Sequence, residues 1–170
     1  GWTGATVPES HGGAGFGYLE LALLAEEIGR ALAPIPFGSS VYLVTEAVRL
    51  GGNEDQQRRW LPELAAGRRI GVLGGAEGVG GHVAIDPKVE WRDGALHGAK
   101  MPVLDGAAAN LALVLAHDAS GGGRVLVLAD LEAGGAKREP VESLDASRPL
   151  ARLVFEGTPA ELLSGDGSRL

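Results

Sequence analysis

The sequence contains no cysteine, and this absence excludes several kinds of site at once. Without a thiol, the 170 residues hold no disulfide framework, no thiolate metal ligand and no cysteine nucleophile. A chain without thiols favours an intracellular protein, and we expect a cytoplasmic one. Redox chemistry in such a chain requires a bound cofactor.

Long apolar runs and positive charge are also scarce. No stretch approaches the roughly 18 apolar residues of a membrane-spanning helix. The 22 acidic residues outnumber the 15 basic ones, which are scattered, and the formal net charge is −7. We therefore expect neither a membrane span nor a nucleic-acid partner. Because the chain begins at Gly1 and not at methionine, we also expect it to be a piece of a longer protein.

Glycine and apolar residues are abundant, and their spacing divides the chain near residue 68. The 28 glycines and the hydrophobic content of 45% suit one domain or two small ones. Before residue 68, apolar residues recur every three or four positions, which predicts helices over residues 18–32 and 39–50. Asn53 followed by Gln56 is a capping-box pattern and predicts the start of a third helix.

After residue 68 the apolar period drops towards two, which predicts a sheet. The candidate strands are residues 70–73, 83–91, 95–103, 109–116, 124–131, 137–143 and 151–155. The Arg-Asp-Gly sequence of residues 92–94 predicts a hairpin turn. Because no helical crossover is long enough for parallel pairing, we predict a small antiparallel barrel or sandwich. The predicted fold class is α+β, with a partial amino-terminal helical domain followed by this β-domain.

No single motif identifies a chemistry. The glycine cluster in residues 74–81 follows a strand, but it lacks the Lys-Ser/Thr of a phosphate loop and the spacing of a dinucleotide fingerprint. The four histidines show no metal-ligand spacing, and the serines lack the context of a nucleophile. Residue patterns alone predict a domain with helices and a sheet, without a site.

Several motifs nevertheless follow one another in order along nearly the whole chain. They are Val7-Pro8-Glu9, Gly12-Gly13-Ala14-Gly15, Ala25-Glu26-Glu27-Ile28-Gly29-Arg30, the stretch QQRRWLPELAAGRRIG at residues 56–71, Gly98-Ala99-Lys100 and Leu153-Val154-Phe155. Taken in this order, the chain resembles the acyl-CoA dehydrogenase family.

The resemblance implies an architecture and a reaction. Residues 1–67 would be part of an amino-terminal helical domain, residues 68–156 the middle β-domain, and residues 157–170 a link towards a carboxy-terminal helical domain that this chain lacks. In the family, FAD binds between the middle and last domains, and a neighbouring subunit completes the FAD site. The family's reaction is the α,β-dehydrogenation of an acyl-CoA thioester: a glutamate removes the α-proton, and the β-hydrogen leaves as hydride to the flavin. In most family members that glutamate lies in the carboxy-terminal domain, which this chain lacks, so no catalytic residue is assigned here.

The resemblance also implies partners. We expect an acyl-CoA substrate from fatty acid or sterol catabolism, and electron-transfer flavoprotein as the electron acceptor. The subunits of the family assemble, so we expect a homo- or hetero-oligomer, a dimer or a tetramer, of similar chains.

Flavin contacts are implied at two places in this chain. Family members carry a Thr-Glu pair after the first β-strand and a Trp-Ile-Thr run after a Gly-x-Lys sequence. Aligned with these motifs, the candidate cofactor-binding residues are Leu73, Gly74, Gly75, Val103 and Leu104. Gly81 aligns near the position of a serine that contacts CoA in similar proteins. Gly81 is therefore the candidate substrate-binding residue.

The candidate positions differ from the family pattern in their side chains. Gly74 and Leu104 lack the hydroxyl groups, Gly75 lacks the carboxylate, and Pro102 replaces the aromatic ring. Two lost hydroxyls cost roughly 1–3 kcal/mol of binding, so restoring them by Gly74→Thr and Leu104→Thr should raise FAD retention. Three hypotheses follow: a flavoenzyme that holds FAD by main-chain amides, a partner subunit with a degenerate flavin site, or a non-redox binding protein.

Overall fold

The computed structural model describes residues 1–78, 82–145 and 147–164, which fall into two units. The first comprises Gly1–Ile70 together with Ser164, and the second comprises Gly71–Leu163. Within these described ranges, no helix is long and apolar enough to cross a membrane.

The first unit consists of helices close to the predicted positions. Its elements are two 3-10 turns (Trp2–Gly4 and Glu9–His11), α1 (Tyr18–Arg30), a π-helix (Gly38–Thr45) that continues into α2 (Glu46–Gly51), and α3 (Glu54–Ala65). Helix α1 ends before residue 32 because Leu32 adopts a left-handed φ of +46°, which no α-helix accommodates.

The start of α3 confirms the capping box predicted from the sequence. The Gln56 amide donates to Asn53 Oδ1 at 2.9 Å, and the Asn53 amide donates to Gln56 Oε1 at 3.1 Å. Each bond satisfies an amide at the helix end that has no partner within the helix. Pro62 lies inside α3 without ending it.

The second unit is a sheet of seven strands among the described residues. They are β1 (Gly71–Gly74), β2 (Glu90–Arg92), β3 (Ala95–Leu104), β4 (Leu111–Asp118), β5 (Gly123–Asp130), β6 (Ala136–Val141) and β7 (Leu150–Leu162). The path β4–β2–β3–β7–β5 returns to β4, so the sheet closes into a barrel. Its core is filled by side chains such as Val72, Leu96, Val114, Val127 and Phe155.

The α+β class is confirmed, whereas the purely antiparallel arrangement is corrected. Strands β1 and β4 pair in parallel, as do β2 and β4, and the other pairings are antiparallel. Parallel strands need a long crossover, and the prediction considered only a helix as that crossover. Here the β2–β3 hairpin lies between β1 and β4 in the chain and forms that crossover.

Two strand ends differ from the prediction by several residues, and one turn agrees with it. The predicted strand over residues 83–91 forms only from Glu90, and β7 continues to Leu162 through residues that the sequence assigned to a link. Pro159 still pairs with Ala95, at an exposed position of that strand. The predicted turn between β2 and β3 is present, with left-handed φ values at Asp93 and Gly94.

A buried carboxylate joins three segments of the first unit. Glu46 accepts hydrogen bonds from Thr6 Oγ1 at 2.6 Å, from the Tyr18 hydroxyl at 2.8 Å and from Arg49 Nη2 at 2.7 Å. Burial raises the pKa of Glu46, but the hydrogen bonds from Arg49, Thr6 and Tyr18 outweigh it and hold the pKa below its ordinary value of 4.5. The ionised form is therefore the one that the fold stabilises.

We expect Glu46→Gln to lower the free energy of unfolding by roughly 1–3 kcal/mol, because hydrogen bonds to a charged acceptor are lost. A depressed carboxyl pKa adds stability above the unfolded-state pKa, and this stability is lost as the pH falls through the folded-state pKa. The difference between wild type and variant, measured by urea unfolding, should therefore shrink on acidification below pH 4.5.

Glu27→Gln is the matched control for this measurement. Glu27 pairs with Arg30 on the surface at 3.4 Å, and exposed pairs of this kind contribute about 0–1 kcal/mol. An equal effect of the two substitutions, or a difference for Glu46→Gln that stays constant on acidification, would contradict the role given to Glu46.

Candidate functional site

Hydrogen bonds join the residues just after the first predicted flavin stretch to the residue just before the second. The Met101 amide donates to the Ala76 carbonyl at 2.9 Å, and the Gly78 amide donates to the Met101 carbonyl at 2.8 Å. These bonds join the end of the β1 segment to β3. We call residues 75–78 and 101–104 together the seam.

A bulge in β3 makes this contact possible. Lys100 lies opposite Leu153 of β7, and the next paired residue, Val103, lies opposite Ala151. Two residues of β3 therefore stand against one residue of β7, which is the arrangement of a β-bulge. The main chain of Met101 is thus released from β7 and pairs with residues 76–78.

An ion pair lies directly beneath the seam. Lys100 Nζ is 2.5 Å from Glu77 Oε1, and the side chains are 0% and 10% exposed. The carboxylate also accepts the amides of Lys88 at 2.7 Å and Val89 at 3.0 Å. Burial raises the pKa of Glu77, but these donors outweigh it and lower the pKa overall. Burial lowers the pKa of Lys100, and Glu77 opposes that shift.

The structure places Gly74 and Gly75 against the protein's own side chains. A Cβ on Gly74 would lie 3.2 Å from Lys100 Cγ, and a Cβ on Gly75 would lie 3.3 Å from a methyl group of Val83. Both glycines are buried. Their lack of a side chain therefore makes room for Lys100 and Val83.

The remaining predicted residues differ in their access to the surface. Leu73 is half-buried in β1, and Val103 is fully buried in the barrel core. Leu104 is 37% exposed at the end of β3. Gly81, the predicted substrate contact, lies outside the described residues.

Sequence reasoning missed the residues that form the seam's contacts. Ala76, Gly78 and Met101 make its main-chain bonds, and Glu77 and Lys100 form the ion pair under it. One signal was available: Glu77 is the only acidic residue among residues 73–85. A carboxylate in a glycine-rich, apolar segment needs a partner, and the lysine after Gly98-Ala99 is that partner.

Main chain and apolar side chains are what the seam offers to a flat aromatic cofactor. Residues 75–78 and 101–104 contain no hydroxyl group, and the two charged groups are paired with each other. Met101 and Pro102 are half-buried and apolar, and Leu104 adds an exposed apolar side chain. Among the described residues, no cluster of three or more His, Cys, Asp or Glu could hold a metal ion.

The contact between Gly74 and Lys100 adds a cost in stability to the substitution Gly74→Thr. Because Gly74 is enclosed, we expect Gly74→Thr to destabilise the protein by about 1–3 kcal/mol through overpacking, measured by urea unfolding. The matched control is Gly78→Thr, since no atom lies within 4 Å of a Cβ on Gly78. Equal stability of the two variants would mean that Lys100 does not pack against Gly74.

Comparisons with known proteins agree with the architecture. The family model described as "Acyl-CoA dehydrogenase, N-terminal domain" matches residues 1–68. Mitochondrial isovaleryl-CoA dehydrogenase of Solanum tuberosum is 30% identical over 179 residues, which cover 98% of this chain and 43% of the relative. Acyl-CoA dehydrogenase FadE34 of Mycobacterium tuberculosis is 32% identical over 170 residues, which cover 100% of this chain and 21% of the relative.

Solved structures share the fold across both units. The glutaryl-coenzyme A dehydrogenase–glutaryl-CoA complex has a TM-score of 0.84 at 24% identity, over 99% of this chain and 47% of that one. The Tcur3481-Tcur3483 steroid ACAD has a TM-score of 0.81 at 30% identity, over 96% of this chain and 45% of that one. The chain thus spans less than half the length of these relatives. It belongs to the acyl-CoA dehydrogenase family, of which it holds amino-terminal helical and middle β regions.

Proposed function

We propose that this chain contributes to an FAD-dependent acyl-CoA dehydrogenase that catalyses the α,β-dehydrogenation of an acyl-CoA thioester. The observation that supports it best is the seam, which lies next to the two stretches that the resemblance assigns to the flavin edge. Relatives that align with nearly the whole chain are named as acyl-CoA dehydrogenases. The domain division at residue 68 and a cytoplasmic location remain predictions.

In this proposal the chain positions and shields the cofactor and does not supply the base. The bound FAD would provide the hydride acceptor for the β-hydrogen. The seam would border the ring with main-chain groups and with the apolar Met101, Pro102 and Leu104, which exclude water. Glu77 is unsuited to remove the α-proton, because its carboxylate already accepts three hydrogen bonds and its pKa is lowered.

A second candidate function is a partner subunit whose own flavin site is degenerate. Two observations favour it: the seam contains no hydroxyl group, and Gly74 is closed by Lys100. In that case the helices and the barrel would complete a heteromeric dehydrogenase with a similar subunit. For both candidates we propose an acyl-CoA substrate, an oligomer of similar chains and electron-transfer flavoprotein as acceptor.

The absorption spectrum of the whole purified protein separates these functions. An oxidised-flavin spectrum that bleaches with acyl-CoA thioesters, from the protein alone, supports the enzyme. The same spectrum only after mixing with the product of an adjacent similar gene supports the partner subunit. A colourless protein in both preparations would overturn the proposed dehydrogenase and leave a non-redox binding protein.

Leu104→Thr tests the placement of the flavin edge in this chain. A hydroxyl at this exposed position would add one hydrogen bond, about 0.5–1.5 kcal/mol, and should lower the Kd for FAD by roughly two- to tenfold. Equilibrium dialysis of FAD measures the effect. The matched control is Leu162→Thr, because Leu162 is also a strand leucine and is 36% exposed, against 37% for Leu104. Equal affinities of the two variants for FAD would place the flavin edge elsewhere.

A further inference from the structure

We propose that two ion pairs, one on each side of residues 101–104 of β3, hold the seam in the position that the flavin edge requires. The pairs are Lys100–Glu77 before the bulge and Arg148–Asp105 after it. The inference rests on the proposed function for its reference to flavin. In this role the four residues act through the main chain and are positioning residues.

The first pair fixes the start of the bulge. Lys100 is the last residue paired with β7 before the bulge, and its ammonium group bonds Glu77 in the opposite stretch of the seam. Glu77 is held in turn by the amides of Lys88 and Val89. Movement of the Glu77 segment away from β3 would therefore break the bond to Lys100, and the two amides restrict where the carboxylate can lie.

The second pair fixes the end of β3, two paired residues after the bulge. Asp105 follows the last residue of β3 and adopts a left-handed φ of +61°, which is uncommon for a residue other than glycine. Its amide donates to the Pro149 carbonyl at 2.8 Å, and its carboxylate accepts from Arg148 Nη2 at 2.9 Å. The side chain of Asp105 is almost fully buried. These bonds tie the turn after Leu104 to the segment before β7.

The location of the pairs distinguishes them from the other ion pairs of the barrel. Lys137–Glu156 and Arg152–Glu139 lie on the surface of β6 and β7, with both partners half exposed or nearly so. Lys100 and Glu77 are 0% and 10% exposed, whereas in the second pair Asp105 is buried and Arg148 is 34% exposed. A buried ion pair is a poor source of stability, and its best-attested role is to select one register or arrangement. At residues 101–102 the ladder with β7 is interrupted, so the ion pairs would select the position of the main chain there.

Amide hydrogen exchange in the whole protein tests this role without FAD. In Lys100→Met, loss of a charge-assisted hydrogen bond of about 1.5–3 kcal/mol should speed exchange of the Met101 and Gly78 amides by roughly tenfold or more. The Leu113 amide in β4 serves as the internal reference. Lys137→Met, the same change in the exposed pair, should leave the exchange at Met101 and Gly78 unchanged.

A double variant separates positioning from general stability. Lys100→Met leaves a buried carboxylate without its cation, whereas Lys100→Met/Glu77→Gln removes both charges and should recover much of the unfolding free energy. We expect the Met101 and Gly78 amides of the double variant still to exchange fast. Wild-type exchange in the double variant, or an equal rise at Leu113 and in the seam, would overturn the inference.

The second pair has its own test, and the spectrum of the holoprotein connects both pairs to the flavin. Arg148→Met should speed exchange of the Asp105 amide. In the holoprotein, Arg148→Met and Lys100→Met should each shift the absorption bands of bound flavin, whereas Lys137→Met should leave the bands unchanged. Unchanged bands and unchanged exchange in a flavin-binding protein would overturn the inference and leave the proposed function standing. A protein that binds no flavin, either alone or mixed with the adjacent gene product, would overturn the proposed function, while the exchange rates would still decide whether the pairs hold the seam.

Discussion

The buried carboxylate of Glu77 is the constraint on which the most irregular part of the barrel depends. Removing a charge from water is costly unless its oxygens find donors inside the protein. Those donors come from Lys100 in β3 and from the amides of Lys88 and Val89 before β2. Three segments that are distant in sequence must therefore meet at one point. The seam is the consequence of that meeting.

The bulge in β3 transfers main-chain bonds from one neighbour to another. A regular strand would pair Met101 with β7, but here its amide and carbonyl bond residues Ala76 and Gly78. No backbone group of Met101 is left without a partner, which buried main chain requires. One strand thus closes the barrel along most of its length and, at Met101, bonds the segment after β1 in place of β7.

Local signals predicted much of the fold because their causes lie between near neighbours. The capping box at Asn53 depends on a residue three positions away, and the hairpin between β2 and β3 depends on two turn residues. The parallel pairing of β1 with β4 and the bond of Glu77 to Lys100 join residues far apart in the chain. No periodic pattern carries such information. The five candidate flavin residues therefore stay a prediction, while the charged pair beside them, Glu77 and Lys100, was not identified from the sequence.

A seam without hydroxyl groups depends more strongly on where its main chain lies. A threonine side chain can rotate to meet an acceptor, whereas a peptide amide has a direction set by the backbone around it. Hydrogen bonds weaken steeply when their angle departs from linearity. If the flavin edge rests on residues 75–78 and 101–104, the lack of hydroxyl groups at Gly74 and Leu104 makes the ion pairs at Lys100 and Asp105 more important, because the backbone they hold is what remains for recognition.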